Sequence, residues 1–394
     1  MPLRPPAGFI SAFFDPLRNP NAPTIGTATA GDASASVAFT APANVGGSAI
    51  SSYSAISSPE GIIGSAASSP ISVTGLTNGT AYTFAVWATN TYGPSAYSAA
   101  SGSVTPAAIR GLFVGGNTGS SINVIQYVSI STLGNATDFG DLLATGSSLG
   151  SCASSTRAVC TGSTSSLQYV TIASTGNATS FGSLLQNGGG AAGFNSSTRG
   201  VFSGNYEESN VIQYITIASV GNATDFGDLS VTRYGMGGCS SPTRGLFSGG
   251  YAPVAAVSSN IIDYITIATT GNSVDFGDLT TGRQPIGACS SSTRGLFAGG
   301  NNGVTTFNII DYVTIASTGN AIDFGDLATA INGVGVCSSS TRGLFGGGAN
   351  AADTKLSAIG YVEIATTGNT TSFGDLISAT SQLNACSNGN GGVQ

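Results

Sequence analysis

The chain has 394 residues, room for two or three domains, with 58 Gly, one Trp, no His and only 7% charged residues. Charge that sparse excludes a polyelectrolyte disordered chain, and eleven basic residues against 18 acidic ones give a net charge of −7, which, with Lys355 as the single lysine, excludes a phosphate-binding surface. The lack of histidine removes histidine acid–base chemistry, histidine zinc sites and histidine triads.

Abundant Gly, Ser, Thr and Asn disfavour long helices, so the expected fold class is all-β. Residues 1–21 form a proline-rich leader. Its opening, MPLRPPAGFI, breaks the apolar stretch that a signal peptide needs. No apolar run approaches the ~20 residues of a membrane span. Residues 22–106 alternate apolar and polar side chains between turn signals, which predicts strands at Val37–Phe39, Ile50–Tyr53, Ile71–Val73 and Tyr82–Trp87. The segments SVAFTAP (36–42), GLTNGTAYTFAVWATNTYG (75–93) and SVTP (103–106) resemble a fibronectin type III domain. The resemblance implies a β-sandwich acting as a spacer, with Tyr82 at the tyrosine corner and Phe39 where the family usually buries a Trp. Residues 107–109 are the linker.

From residue 110 the chain repeats. The unit runs Arg-Gly-Leu-Phe-x-Gly-Gly, then Ile-x-Tyr-Val-Thr-Ile, then Gly-Asn-Ala-x-Asp-Phe-Gly-Asp-Leu, then Cys-Ser-Ser-Ser-Thr. Its Arg falls at 110, 157, 199, 244, 294 and 342, with periods of 47, 42, 45, 50 and 48. Four strands are expected per unit, named here a (Cys-Ser-Ser), b (Arg-Gly-Leu-Phe), c (the Tyr segment) and d (Asp-Phe-Gly-Asp), in chain order b-c-d-a. Such units resemble kelch-type repeats, with Phe139, Phe181, Phe226, Phe276, Phe324 and Phe373 where that family has Trp. The resemblance implies a six-bladed β-propeller over 110–394. The first unit lacks an a strand, and Asn384–Ser387 repeats the a pattern at the far end. Pairing of 384–387 with 110–116 is therefore expected to close the ring.

Three recurrent features invite functional readings. Arg110, Arg157, Arg199, Arg244, Arg294 and Arg342 recur without exception; Asp141, Asp228, Asp278, Asp326 and Asp375 recur with Ser183 as the exception. A carboxylate ring for metal or an arginine cluster for sialic acid competes with an Arg–Asp or Arg–backbone bridge stapling strands. Sixfold recurrence favours the scaffold, because a catalytic site needs different residues converging on one point. Cys152, Cys239, Cys289, Cys337 and Cys386 share one a-strand position, with Phe194 as its sixth member, while Cys160 replaces a repeat Phe. Equivalent positions do not face one another, so these thiols read as small buried hydrophobes and neither disulfides nor metal ligands. Asn135, Asn177, Asn222 and Asn369 sit in Asn-x-Ser/Thr triplets within the c–d turns, glycosylated only on a secretory route. No catalytic residue, metal or cofactor is expected.

The a–b and c–d turns are nearly constant, whereas the b–c and d–a connections read as varying in both length and content. In an up-and-down blade these two sets lie at opposite ends, one uniform and one individual. Loops on a rigid scaffold are where recognition is usually placed. The candidate ligand contacts are Tyr206, Glu207, Glu208, Arg233, Tyr234, Tyr251, Arg283, Gln284, Phe307, Asp353 and Lys355. The linker enters at strand b, so the spacer is expected on the uniform face. The leader, MPLRPPAGFI…FDPLRNPNAPTIG, resembles the N-termini of structural proteins of tailed cyanophages. That resemblance implies a virion fibre or decoration protein made in the host cytoplasm, docked on other virion proteins through residues 1–21. Its propeller would bind a host surface glycan or protein, with no nucleic-acid partner; oligomerisation is left open. The alternatives are a bacterial extracellular lectin or adhesin, and a glycan-active enzyme, for which Glu207, Glu208 and Asp353 are the loop acids.

Overall fold

The computed structural model describes residues 17–207 and 209–389 and is all-β, built of small antiparallel sheets. No described helix is long and apolar enough to cross a membrane. The chain divides into two compact units, Met1–Ala108 and Ile109–Gln394. The leader's docking role falls mainly on residues 1–16, outside the described residues, as do residues 390–394.

The first unit has two sheets. Thr24–Gly31, Ser34–Thr40 and Ile71–Thr74 form one, and Ile63–Ala66, Ser52–Ser58, Thr83–Asn90 and Gly93–Pro94 form the other in that order. The four sequence-predicted segments fall on these strands, with two shifts: Ile50 and Ser51 precede their strand, and Tyr82 lies just before Thr83–Asn90. The segments at 24–31 and 63–66 lack strong alternation of large apolar residues, which is why they were not anticipated. Alternating inward residues, among them Val37, Phe39, Tyr53, Ile71, Val73, Phe84 and Val86, fill one core. Tyr82 is fully buried, and its hydroxyl accepts from the Thr77 N–H (3.0 Å) and donates to Glu60 Oε2 (2.5 Å). Without those partners the buried hydroxyl would be left unsatisfied, at a cost of about 1–3 kcal/mol.

The second unit holds six four-stranded antiparallel sheets, each in spatial order a-b-c-d. The a strands are Ser151–Ala153, Ala192–Asn195, Gly237–Ser240, Gly287–Ser290, Gly335–Ser338 and Asn384–Ser387. They neighbour one another in that order, and the last is again a neighbour of the first. The C-terminal strand pairs with the first b strand, as expected, in the register Asn384↔Val114 to Ser387↔Gly111. Neighbouring a strands are stitched by hydroxyls. Ser240 Oγ donates to Asn195 O (2.6 Å), Ser290 to Ser240 O (2.7 Å), Ser338 to Ser290 O (2.9 Å) and Ser387 to Ser338 O (2.5 Å). Ala153 cannot continue the series, and there Ser151 Oγ donates to Ala385 O (3.1 Å).

The repeat residues form cyclic sets between successive sheets. Each repeat Arg lies over the Tyr of its own c strand at 4.3–4.7 Å from the ring centroid. Its Nη1 donates to a backbone carbonyl of the next sheet: Arg110 to Ile172, Arg157 to Ile217, Arg199 to Ile267, Arg244 to Ile315, Arg294 to Ile364 and Arg342 back to Ile130, all at 2.8–3.1 Å. Of the two scaffold bridges expected, the Arg–backbone one is present. The same Tyr meets the repeat Phe edge-on, as in Tyr127–Phe139 at 5.8 Å. Each c–d turn Asn accepts the N–H at the repeat Asp/Ser position of the preceding sheet, Asn177 from Asp141 (3.0 Å) and Asn135 from Asp375 (3.0 Å) among them. The sequon asparagines thus serve as scaffold acceptors.

The b-strand Gly is required by close approach. A Cβ at Gly245 would fall 1.9 Å from the Phe194 ring, and one at Gly200 would fall 2.3 Å from Cys152 Sγ. All six cysteines are free thiols in buried positions. Burial drives the thiol pKa well up at Cys152, Cys239 and Cys337, and to about 12 at Cys289.

Candidate functional site

In each sheet the antiparallel order places the a–b and c–d turns at one end and the b–c and d–a connections at the other. The loop end differs from expectation in one respect. From the repeat Asp/Ser position to the a-strand Cys/Phe position is 11 residues in all six units, so the d–a connection varies in content alone. All the length variation lies in the b–c loops. The fixed d–a length has a structural reason: this segment lines the axis between the a strands and bonds to its neighbours there. Gly190 N donates to Ser148 O (2.7 Å), Gly235 N to Gly190 O (3.0 Å), Ser148 N to Gln382 O (2.8 Å) and Gln382 N to Gly333 O (2.8 Å). Pro285 occupies the equivalent position without an N–H to offer.

Just outside this ring, four of the d–a connections meet the b–c loop of the next sheet in a short backbone bridge. The bridged pairs are Tyr234 with Tyr251, Gln284 with Asn301, Asn332 with Ala349 and Ser381 with Asn117. Tyr206 N donates to Gly189 O (3.1 Å) at the corresponding place in the sheet before Tyr251. These seats are structurally equivalent and chemically unequal. Three tyrosines fill two adjacent seats, while the others hold amides, serine and alanine.

The tyrosines form a continuous cluster. Tyr206 and Tyr234 meet edge-on at 5.0 Å, and Tyr234 and Tyr251 are tilted at 5.5 Å. Tyr206 is 54% exposed, and Tyr234 and Tyr251 are half-buried. The Tyr206 ring rests on Gly189 and Gly190: a Cβ at Gly190, whose φ is +80°, would lie 3.0 Å from the ring. Behind the cluster an axial cavity of about 90 Å³ opens, walled by Leu149, Met236, Ile286, Val334 and Leu383, with Tyr206 on its lining. A second axial cavity of about 70 Å³ lies among the a-strand serines and cysteines.

Two anticipated contacts are corrected. Arg233 and Arg283 have no exposed surface. Arg233 donates to Asp263 (2.5 Å) and to the carbonyls of Gly249 and Ile261; Arg283 donates to Asp311 (2.9 Å) and to the carbonyls of Gly299, Thr281 and Phe297. Burial pulls the Arg233 pKa down and Asp263 counters it. The cause lies in the c strand. Its inward polar position holds Gln126, Gln168 and Gln213 in three sheets, each accepting a backbone N–H from the preceding sheet at 2.7–2.8 Å. Asp263 and Asp311 take the same position and accept from the Ser230 and Thr280 hydroxyls at 2.7 Å, but a buried carboxylate needs a counter-charge. Arg233 and Arg283 supply it from the d–a connection.

The remaining candidates are dispersed. Glu207 Oε1 accepts from Asn187 Nδ2. Asp353 and Lys355 face each other at 3.8 Å within one exposed loop, an ion pair of small energetic value. Gln284 is half-buried beside Gly235, and Phe307 is half-buried with its N–H on Gly300 O (2.8 Å). Glu208 lies outside the described residues. Glu207 and Asp353 stand on the b–c loops of sheets three positions apart in the cycle, so they do not converge. Among the described residues no group of three or more Cys, Asp or Glu could hold a metal ion. Asn301, Gly189 and Gly190 were missed by the sequence reading; only repeat alignment at fixed d–a spacing would have brought them beside the tyrosines. No family model and no curated protein matches this chain.

Proposed function

We propose that this chain is a recognition protein without a catalytic role. Residues 110–394 form a six-bladed, kelch-like β-propeller presenting its loop end to a host-surface glycan or protein, and residues 22–106 form a fibronectin type III-like spacer. The cyclic neighbourhood of the a strands, the C-terminal strand in the first sheet and the Tyr82 hydroxyl bonded back to Thr77 support these two architectures. One observation carries the functional reading. A scaffold that repeats its interactions around the cycle breaks that regularity at the loop end, where three tyrosines gather in two adjacent seats. The chain enters this unit at Arg110, at the constant end and opposite the tyrosines.

The setting proposed is a virion fibre or decoration protein. The leader's resemblance supports it, with an extracellular lectin or adhesin as the alternative setting. The separation of Glu207 and Asp353 speaks against a glycosidase, which needs two carboxylates flanking one bond.

Two measurements test this reading. The full chain should be found by mass spectrometry in gradient-purified particles, and purified protein should bind host envelope. Presence in secreted fractions of uninfected cells would move the protein to the lectin setting. Envelope binding undiminished in the combined Tyr206→Ala and Tyr251→Ala variant would overturn the loop-end assignment.

A further inference from the structure

Resting on that recognition reading, we propose that the tyrosine seat takes a neutral glycan: uncharged pyranose rings bearing neither carboxylate nor phosphate. Shape favours such rings. Tyr206 lies across the Gly189–Gly190 backbone and is braced edge-on by Tyr234, so its ring is held before any ligand arrives. A fixed phenol ring offers a flat apolar face for the C–H side of a sugar and a hydroxyl at its tip.

The residues beside the tyrosines favour them as well. The adjacent seat pairs Gln284 with Asn301, both half-buried. Primary amides both donate and accept, which matches sugar hydroxyls that do the same. On the axial side the seat borders the axial cavity through Tyr206.

Charge decides the class. Recognition of a carboxylate or phosphate calls for an accessible guanidinium or ammonium, best as a bidentate Arg. The two arginines that the loop sequence places near the tyrosines, Arg233 and Arg283, are fully buried and committed to Asp263 and Asp311. Lys355 stands on the loop of another sheet beside Asp353. The exposed charge next to Tyr206 in the chain is Glu207, an anion, and the whole chain carries −7. A polyanionic glycan would meet repulsion there, with no exposed cation among the described residues of the seat to offset it. Uncharged sugar rings meet none.

The test titrates the full chain calorimetrically with dextran, mannan and galactan as neutral probes, and with polygalacturonate and polysialic acid as acidic ones. At least one neutral polymer should bind, with affinity nearly constant between ~50 and ~500 mM salt. Tyr206→Ala and Tyr251→Ala should each weaken it roughly tenfold, whereas Tyr206→Phe should stay within about threefold, because stacking survives loss of the hydroxyl. Unchanged thermal melting of each variant shows that the fold is intact. Gly190→Ala, which pushes on the Tyr206 ring from below, gives a second route to the same loss. Binding confined to the acidic polymers, falling steeply with salt, would overturn the neutral class. So would neutral binding indifferent to Tyr206→Ala. If no polymer binds while host envelope binds through the tyrosines, the glycan class fails and the recognition reading stands. If envelope binding also ignores the tyrosines, both fail.

Discussion

The Arg233 guanidinium sits 2.5 Å from the Asp263 carboxylate, and neither side chain has any surface in contact with solvent. Arg283 and Asp311 repeat the pair one sheet further on at 2.9 Å. In both sheets the carboxylate replaces a neutral glutamine of the repeat, and the arginine arrives with it. These pairs make the loop end less cationic than its sequence implies, and they tie its d–a connections to the strands below.

Removing one partner should therefore be costly. Asp263→Ala leaves Arg233 charged and buried, with an expected loss of about 3–5 kcal/mol in denaturant unfolding. Replacing both partners together, Arg233→Met with Asp263→Leu, should recover most of that loss. A single Asp263→Ala variant as stable as wild type would show the pair to be energetically idle. Any folded variant at Arg233 or Arg283 should keep its ligand affinity, since neither side chain reaches the surface.

Deleting residues 380–394 removes the a strand of the first sheet and the Ser387 bond to Ser338. The first b strand then becomes an open edge. The expected result is loss of the cooperative melting transition of the repeat unit in calorimetry. An unchanged transition would show that ring closure contributes nothing to folding.

Gly245→Ala drives a methyl group into the Phe194 ring, within a buried contact between successive sheets. Overpacking of this kind costs about 1–3 kcal/mol. Gly134→Ala, with nothing within 4 Å, should stay within about 0.5 kcal/mol. Comparison of the two chemical-denaturation midpoints separates close approach from a general penalty on glycine substitution.

The buried thiols predict an alkaline limit. Their folded pKa values lie above the ordinary 9.0, so the folded chain holds protons that the unfolded chain gives up. Their stabilising effect is complete below pH 9 and declines as pH rises above it, continuing for Cys289 to about 12. At pH 10 the loss from Cys289 alone is roughly 1.4 kcal/mol. Cys289→Ala should flatten the decline between pH 8.5 and 10 by about that amount. An unaltered slope would mean that the thiol does not contribute.

Much of this architecture could be read from the repeats. The Arg, Tyr and Phe positions marked the strands, and the orphan a pattern at Asn384–Ser387 identified the partner of the first b strand. Side-chain direction could not be read in the same way. Arg233 and Arg283 fall in connections, and connection residues are usually exposed. The signal was nevertheless present: arginine occupies that d–a position in the two units that immediately precede Asp263 and Asp311, and in no other. The tyrosine cluster was legible only as three residues in three separate connections. Its assembly depends on backbone bridges between one sheet's d–a connection and the next sheet's b–c loop, pairs that strand periodicity does not register.

The most direct test is hydrogen exchange of the full chain with and without solubilised host envelope. Exchange should slow at residues 204–207, 234–236, 249–252 and 284, with no change at the Ser-Ser-Thr-Arg turns of the constant end. Protection at those turns, with the tyrosine loops unaffected, would contradict the loop-end assignment.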